Sequence, residues 1–341
     1  MKILHVVASV QAVSGGPAVS VTRLAAEQAK MGHEVTLASL DEQHLGEPIP
    51  ARGVRMASIP ADFFSKHGRG WSPRFRRSVA GEAARADIVH NHGLWMWPNA
   101  YARMAAVRCG RPLVISPRGM LDTWSLHRSR IKKAVAWRMF EKRNLRSARL
   151  FHATSPAEVA NVRALDLEQT VVLAPNGVDL PDLSTCPPRS LLESAFPQLQ
   201  GKRWVVFLSR LHPKKGIDVL LRAWSVHRDI VAGGSMLVIA GPDLIGYGRD
   251  VKRMIREAGL QDSVVLTGEL RGDRKDALLA NGEVFVLPSY SENFGIAIAE
   301  ALAWGRPVIA STATPWSEVA DCRAGWWVEP ETVAMAGALV P

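Results

Sequence analysis

Residues 283–305 read EVFVLPSYSENFGIAIAEALAWG. The first eight are a short run rich in β-branched and aromatic residues and read as a buried strand. Pro, Ser, Asn and Gly then break the run. Small apolar residues come next, predicting a helix that starts near Asn293 or Phe294 and closes at Gly305. The stretch is therefore a strand, a tight loop and a helix, the unit from which parallel sheets are built. It also carries two carboxylates, Glu292 at the mouth of the expected helix and Glu300 eight positions on. Eight residues of helix rise ~12 Å.

The same unit repeats in both directions. Toward the C-terminus RPVIASTA (306–313) is a further strand. Upstream, RWVVFLSRL (203–211), SMLVIAGP (235–242) and SVVLTGEL (263–270) read as strands, with GIDVLLRAWSVHRDI (216–230) a helix among them. An earlier series has the same alternation. KILHVVAS (2–9), HEVTLASL (33–40), ADIVHNHG (86–93), RPLVISPRG (111–119), RLFHATS (149–155) and TVVLAPNG (170–177) read as strands, and VSVTRLAAEQAKMG (19–32) as the first helix. Between the two series, residues 178–202 hold four prolines and no strong period. The expected architecture is α/β, two tandem Rossmann-like doubly wound domains facing a central cleft. The expected boundaries are 1–180, a linker 181–201, and 202–341.

Composition narrows the class. The chain has 341 residues, 47% apolar and 22% charged, which is globular and long enough for two domains. No run approaches the ~18 apolar residues of a membrane span. Its opening, MKILHVVASV, lacks the pattern of a signal peptide. Three cysteines, Cys109, Cys186 and Cys322, form no CxxC pair and argue for a reducing, cytoplasmic setting without a disulfide framework or zinc site. The net charge of +10 is concentrated. Residues 64–149 hold 19 Lys+Arg against 4 Asp+Glu, while the rest of the chain holds 23 against 28. Such a segment attracts an anionic partner; a peripheral site on the inner face of a membrane is the expectation, and a solvated basic face the alternative. It contains no recognisable RNA or DNA module, so nucleic acid is not expected.

The loops after the strands carry the chemistry. In SRLHPKKG (209–216), a Pro-containing turn can bring Arg210 and Lys215 to one point at a strand end, which suits a diphosphate; an ordinary solvated loop is the competing reading. The expected helix after Glu292 offers unpaired N–H groups and a partial positive charge to a phosphate, and Gly295 allows close backbone approach. A nucleoside diphosphate sugar is about as long as the interval between Glu292 and Glu300. Glu292 can then accept from sugar hydroxyls and Glu300 from the ribose. The competing reading of Glu300 is a half-buried acid paired with a lysine. The base is expected at backbone near residues 241–242 and 268–270, Leu270 included.

ENFGIAIAE resembles the Glu-x7-Glu motif of retaining glycosyltransferases of family 4, which have the GT-B fold. SRLHPKKG is similar to that family's Arg/Lys diphosphate motif, SGGPAVSVTRLAAEQAKMGHEV to its first loop and helix, VHNHGLW to its histidine loop, and PNGVD to the end of its first domain. These motifs span nearly the whole chain in the family's order. The resemblance implies a retaining, metal-independent hexosyltransferase moving a sugar from a nucleoside diphosphate sugar to a saccharide or lipid-linked acceptor. It implies a catalytic set of Glu292, His92, Arg210 and Lys215. Donor contacts are implied for Gly15, Gly16, Asn293, Phe294, Gly295 and Glu300. Neither a cofactor nor a metal is expected, and no Asp-x-Asp motif occurs. The family's usual account is attack from the front face without a protein nucleophile.

The acceptor side is less legible. SPRGML (116–121) resembles members that act in bacterial surface and exopolysaccharide assembly, and Arg118 follows a strand end, where it could meet an acceptor phosphate or hydroxyl. Trp95 is the other acceptor candidate. Residues 125–149, rich in Lys and Arg, predict one helix with Ile131, Val135, Met139 and Phe140 on a single stripe. The chain stops at ETVAMAGALVP, where the family continues into a crossover helix; weakened closure is the expectation. Two other functions share this architecture: a nucleotide-sugar binder without turnover, and a nucleotide-sugar epimerase, which would lack the Glu-x7-Glu pair.

Overall fold

The computed structural model describes residues 1–11, 15–41, 47–127, 130–227 and 234–339. The first residue of the first-loop motif (14), and parts of the helix expected over 216–230 (228–230) and of the basic stretch (128–129), lie outside the described residues. The chain divides into two compact units, Met1–Gly177 and the remainder from Val178.

The first unit is built on seven strands: β1 (Lys2–Val6), β2 (Glu34–Asp41), β3 (Arg55–Pro60), β4 (Ile88–His92), β5 (Leu113–Ser116), β6 (Leu150–Ala153) and β7 (Thr170–Leu173). They lie in the order β3-β2-β1-β4-β5-β6-β7 and every pairing is parallel. The second unit has β8 (Arg203–Leu208), β9 (Ser235–Ala240), β10 (Val264–Gly268), β11 (Val284–Leu287), β12 (Val308–Ser311) and β13 (Gly325–Val328), in the order β10-β9-β8-β11-β12-β13, again all parallel. Both are Rossmann-like sheets, as the alternation predicted. Helices cover both faces, so central strands such as β9 and β12 are buried along their whole length and read as unbroken apolar runs.

Two strands were not legible in the sequence. β3 is a half-exposed edge strand ending in Pro60, with no β-branched run, and β13 is a four-residue edge strand of Gly, two Trp and Val. Each unit fills its own core. Phe75, Phe151, Leu4 and Ile115 are fully buried in the first, and Trp204, Trp224, Phe207 and Phe285 in the second.

The order of connection matters for the site. In the first sheet strands are added outward on one side from β1 and then on the other from β4, and in the second the same switch falls between β8 and β11. Loops leaving the carboxyl ends of such strands diverge to opposite faces and leave a crevice, where ligands of these sheets sit. The loops after β1, β4, β8 and β11 hold Gly15, Trp95, Arg210 with Lys215, and Glu292 with Gly295.

Candidate active site

In the second unit, β8 runs into a 3₁₀ turn, Pro213–Lys215, whose next residue Gly216 has φ 68°. A Cβ at Gly216 would lie 2.0 Å from the Pro288 carbonyl oxygen at the end of β11. Only glycine lets the two loops pack this closely. The contact delivers Lys215 to Glu292, and the two side chains form an ion pair with little exposure, 11% and 16%. Burial alone would push the Glu292 carboxyl up; the Lys215 ammonium outweighs it, and the group is held below its ordinary value. Arg210 is exposed at the end of β8.

The helix after Glu292 spans Ile296–Ala303 and begins later than the sequence predicted. Its cap is Gly295, in left-handed backbone with φ 82°, so Asn293 and Phe294 belong to the loop. Glu292 therefore approaches from the loop and not along the helix, and the ~12 Å helical rise does not describe its distance from Glu300. The Ile298 N–H donates to the Gly295 carbonyl at 2.9 Å, and the N–H groups at the start of the helix, Ile296 and Ala297, precede any intrahelical carbonyl that could accept from them. Glu300 is one turn inside and pairs with Lys275, from the helix Gly272–Asn281, at 3.0 Å. This is the lysine pairing of the competing reading. Lys275 carries no motif signal, because its helix precedes Glu300 by a whole strand. Leu270, expected near the base, is a buried core residue.

In the first unit, Gly15 caps the helix Gly16–Lys30 with φ 83° and its carbonyl accepts from the Ala18 N–H. His92 ends β4 and is almost fully buried, at 2% exposure. Arg118 Nη2 donates to its Nδ1 at 3.1 Å, and its Nε2 lies 2.8 Å from His5 Nδ1. A guanidinium only donates, so His92 carries its proton on Nε2 and gives that bond to His5. His5 in turn donates from Nε2 to Gln28 Oε1 at 2.7 Å. The donors thus all point one way: Arg118, His92, His5, Gln28. Burial is the main cause lowering the pKa of all three ring systems here, His5 to about 4 and His90 and His92 well below the usual histidine value. Both nitrogens of His92 are spent inside the protein, so in this structure its ring is an internal hydrogen bonder, not an exposed acid or base.

His5, His90 and His92 lie close enough to ligate one ion, with donor atoms within 4.8 Å of one another. The bonding pattern opposes that use. The His92 nitrogen facing His5 carries the proton, and the Arg118 cation stands directly behind the ring.

Arg118 is itself buried, with φ 57° between Pro117 and Gly119. Nη1 donates to Asn176 Oδ1 at 2.7 Å, and Nε has no partner. Burial lowers its pKa to about 10, with the Glu158 carboxylate acting the other way. Asn176 lies in the PNGVD motif, whose role in holding this arginine was not visible from the sequence.

Trp95, expected at the acceptor, is instead a core residue. Its indole N–H donates to the Met120 carbonyl at 3.1 Å, Trp137 flanks the ring, and Lys133 Nζ stands 5.5 Å from its centre. Its backbone has φ 71°, and its N–H donates to the buried Glu141 carboxyl at 2.7 Å. The neighbouring N–H groups are also engaged: Gly93 with Ser116 O, Leu94 with Met120 Sδ, Met96 with Asn99 Oδ1, Trp97 with Arg69 O. No amide of this loop is left for a phosphate.

From Arg130 to Arg146 the basic stretch is helical without a break, with a π-turn inside it. Arg130–Ala136 runs into a π-turn, Trp137–Glu141, and then Lys142–Arg146. The π-turn inserts one residue per turn and rotates the residues after it. Ile131, Val135 and Met139 stay exposed while Phe140 and Glu141 turn into the core. Phe63, Phe64 and Trp71 form a second exposed cluster, and Arg69 Nη1 reaches the Lys132 carbonyl at 3.4 Å, tying the two segments together.

Comparison with known proteins covers almost all of the chain. Residues 15–177 match the glycosyl transferase 4-like domain and residues 202–340 match glycosyl transferases group 1. A D-inositol 3-phosphate glycosyltransferase of Arthrobacter sp. (strain FB24) is 28% identical over 342 residues, covering 94% of this chain and 80% of that protein. Among solved structures, Anabaena Alr3699/HepE in complex with UDP and glucose superposes with a TM-score of 0.78 at 20% identity, over 99% of this chain and 88% of that one. Sucrose-phosphate synthase from Thermosynechococcus elongatus gives 0.73, also at 20% identity, over 99% and 89%. Such likeness speaks for the fold alone.

Proposed function

The chain is a glycosyltransferase of the GT-B type, and from that premise we propose that it moves a hexosyl group from a nucleoside diphosphate sugar to a saccharide or lipid-linked saccharide, with retention of configuration and without a divalent metal. The observation that carries the donor half is the meeting of Lys215 with Glu292 beside the Ile296–Ala303 helix N-terminus. As the bond from the sugar to the diphosphate breaks, negative charge grows on the β-phosphate. Arg210, Lys215 and the helix N-terminus stabilise it, the kind of fixed electrostatic stabilisation that contributes most to many enzymes. The acceptor oxygen bonds to the anomeric carbon on the face the diphosphate leaves, and its proton passes to the departing phosphate oxygen. Glu292 orients the sugar, and Glu300 the ribose. Asn293, Phe294 and Gly295 offer backbone to the sugar and phosphate.

The acceptor is assigned to the first unit, with Gly15 and Gly16 at its loop. Arg118 is its cation, and His92 acts through Arg118 by holding the guanidinium. A cytoplasmic chain resting on an anionic membrane surface fits the exposed Ile131, Val135, Met139, Phe63 and Phe64 set among lysines and arginines. Bacterial polysaccharide assembly is the setting this combination suits. Among the described residues no helix is long and apolar enough to cross a membrane.

Calorimetric titration with UDP, GDP and ADP in metal-free buffer tests the donor reading. The complex of the Anabaena relative makes UDP the first to try. One clear binder is expected, followed by sugar transfer from its nucleotide sugars. Binding of none of the three overturns the proposal.

A further inference from the structure

The loop that carries Glu292 and Gly295 is held from the side by the segment after β12, residues 311–316, STATPW. β11 and β12 are parallel neighbours, Leu287 opposite Ala310, so the two loops leave the sheet together. Three bonds join them in order. Ser311 Oγ donates to the Ser289 carbonyl at 2.5 Å, the Glu292 N–H donates to the Ala313 carbonyl at 3.0 Å, and Trp316 Nε1 donates to the Phe294 carbonyl. The bracing segment is itself braced: Thr314 Oγ1 donates to the Ser311 carbonyl at 2.7 Å, and Trp327 Nε1, from β13, to the Thr314 carbonyl at 3.2 Å.

The third bond has a specific consequence. The Phe294 carbonyl and the Gly295 N–H belong to one planar, trans peptide, so they point in opposite directions. Glycine allows this peptide to flip, because Gly295 accepts either sign of φ. Directed at the indole, the carbonyl turns the Gly295 N–H the other way. A flipped peptide would offer a carbonyl oxygen where a phosphate needs a donor. The Trp316 ring also packs on Phe294, centres 5.3 Å apart, and a Cβ at Gly295 would stand 3.4 Å from Trp316 Nε1.

We infer that Trp316 is a positioning residue of the donor site: its indole N–H locks the Phe294–Gly295 peptide with the amide directed to the β-phosphate and sugar of the bound donor. This rests on the donor reading of the second unit. Trp316 touches no reacting atom and acts through the peptide it holds.

The test replaces Trp316 by Phe, and in a second variant by β-(3-benzothienyl)alanine, which keeps the bicyclic ring and loses only the N–H. Nucleoside mono- and diphosphate affinities, kcat and KM for transfer, melting temperature, and amide exchange of residues 289–297 without ligand are compared with the parent chain. Monophosphate affinity is expected to stay unchanged, with diphosphate affinity about tenfold weaker and kcat lower by roughly 100-fold, the lower end of the loss for one aimed donor. Faster exchange at residues 294–296 is expected in both variants. Equal losses for mono- and diphosphate, or a benzothienyl variant identical to the parent, overturn the role of Trp316. A parent chain that binds no nucleoside diphosphate fails the donor reading first and takes the donor role of Trp316 with it; a parent that binds while the variants match it fails only the positioning role.

Discussion

Lys215 and Glu292, the cation assigned to the departing phosphate and the carboxylate assigned to the sugar, hold each other in an ion pair screened from water on most sides. Each is therefore kept in place before any substrate arrives. Lys215→Ala removes the phosphate contact and leaves a carboxylate without its partner. Diphosphate binding is expected to weaken by ~1.5–3 kcal/mol, roughly 10- to 100-fold. Unaltered diphosphate affinity, measured calorimetrically, ends the assignment of Lys215. The pair also carries a pH signature. The Glu292 carboxyl is held below its ordinary value, so its contribution to stability is present above about pH 4.5 and is lost as the pH falls through its lower folded value. Lys215→Ala takes away the main cause of the lowering; burial then pushes the carboxyl up, and the sign of that dependence is expected to reverse.

Glu300 and Lys275 make the second pair, and it separates nucleotide binding from chemistry. Glu300→Gln is expected to weaken nucleoside diphosphate affinity by about tenfold with a small change in kcat, while Glu292→Gln does the reverse. If the two variants lose kcat and affinity in the same ratio, the division of roles between them is wrong.

The buried histidines make the first unit sensitive to acid. His5, His90 and His92 have folded pKa values below 6.5, so the unfolded chain binds protons that the folded chain refuses. Stability from this source is complete above about pH 6.5 and is lost as the pH drops toward 4. His5→Gln is expected to flatten the slope of melting temperature against pH between 6.5 and 4; an unchanged slope shows that the histidines titrate freely.

Glu141 has the opposite sign. Burial raises its carboxyl to about 7, with the Trp95 N–H and Asn144 acting against that shift. The folded chain therefore keeps this proton between about pH 4.5 and 7, and the group lowers stability as the pH rises through that window. Glu141→Gln preserves an acceptor for Trp95 and is expected to stabilise the chain at pH 8, by up to about 3 kcal/mol, with little effect at pH 4.5. Denaturant unfolding at the two pH values reads this directly.

Sedimentation with vesicles tests the basic surface. Binding to anionic vesicles and not to zwitterionic ones is expected, with Ile131→Ser plus Met139→Ser reducing it several-fold and 0.5 M salt abolishing most of it. Equal binding to both vesicle types removes the electrostatic basis of the proposal.

The sheets and their crevices were legible because doubly buried parallel strands leave long apolar runs, and because the glycines and prolines between them mark the loops. Edge strands β3 and β13 escaped, having one open side and no such run. The start of the helix after Glu292 was misplaced because Asn293 and Phe294 are compatible with a helix and only the left-handed backbone of Gly295 ends the loop. The stripe of Ile131, Val135, Met139 and Phe140 failed at Phe140 because a 3.6-residue period sets Phe140 roughly opposite Ile131, on the face of the buried Ala136, so only the first three share a face. Lys275 and Trp316 reach the loop and helix of Glu292 and Glu300 in the second unit, and His5 reaches His92 in the first, each from another part of its own unit, a proximity created by the fold alone. Trp95 misled for a different reason: aromatic rings beside basic residues suit an open surface and a packed core equally well.

Each of the two cores is filled entirely by its own half of the chain. A substitution that loosens one leaves the packing of the other untouched. The half assigned to the acceptor can therefore diverge by insertion, deletion or wholesale replacement while the half assigned to the nucleotide keeps its shape. Recombination at a boundary near residue 177 would join one nucleotide-holding half to many different recognition halves, a route by which a lineage acquires new products without reinventing the chemistry.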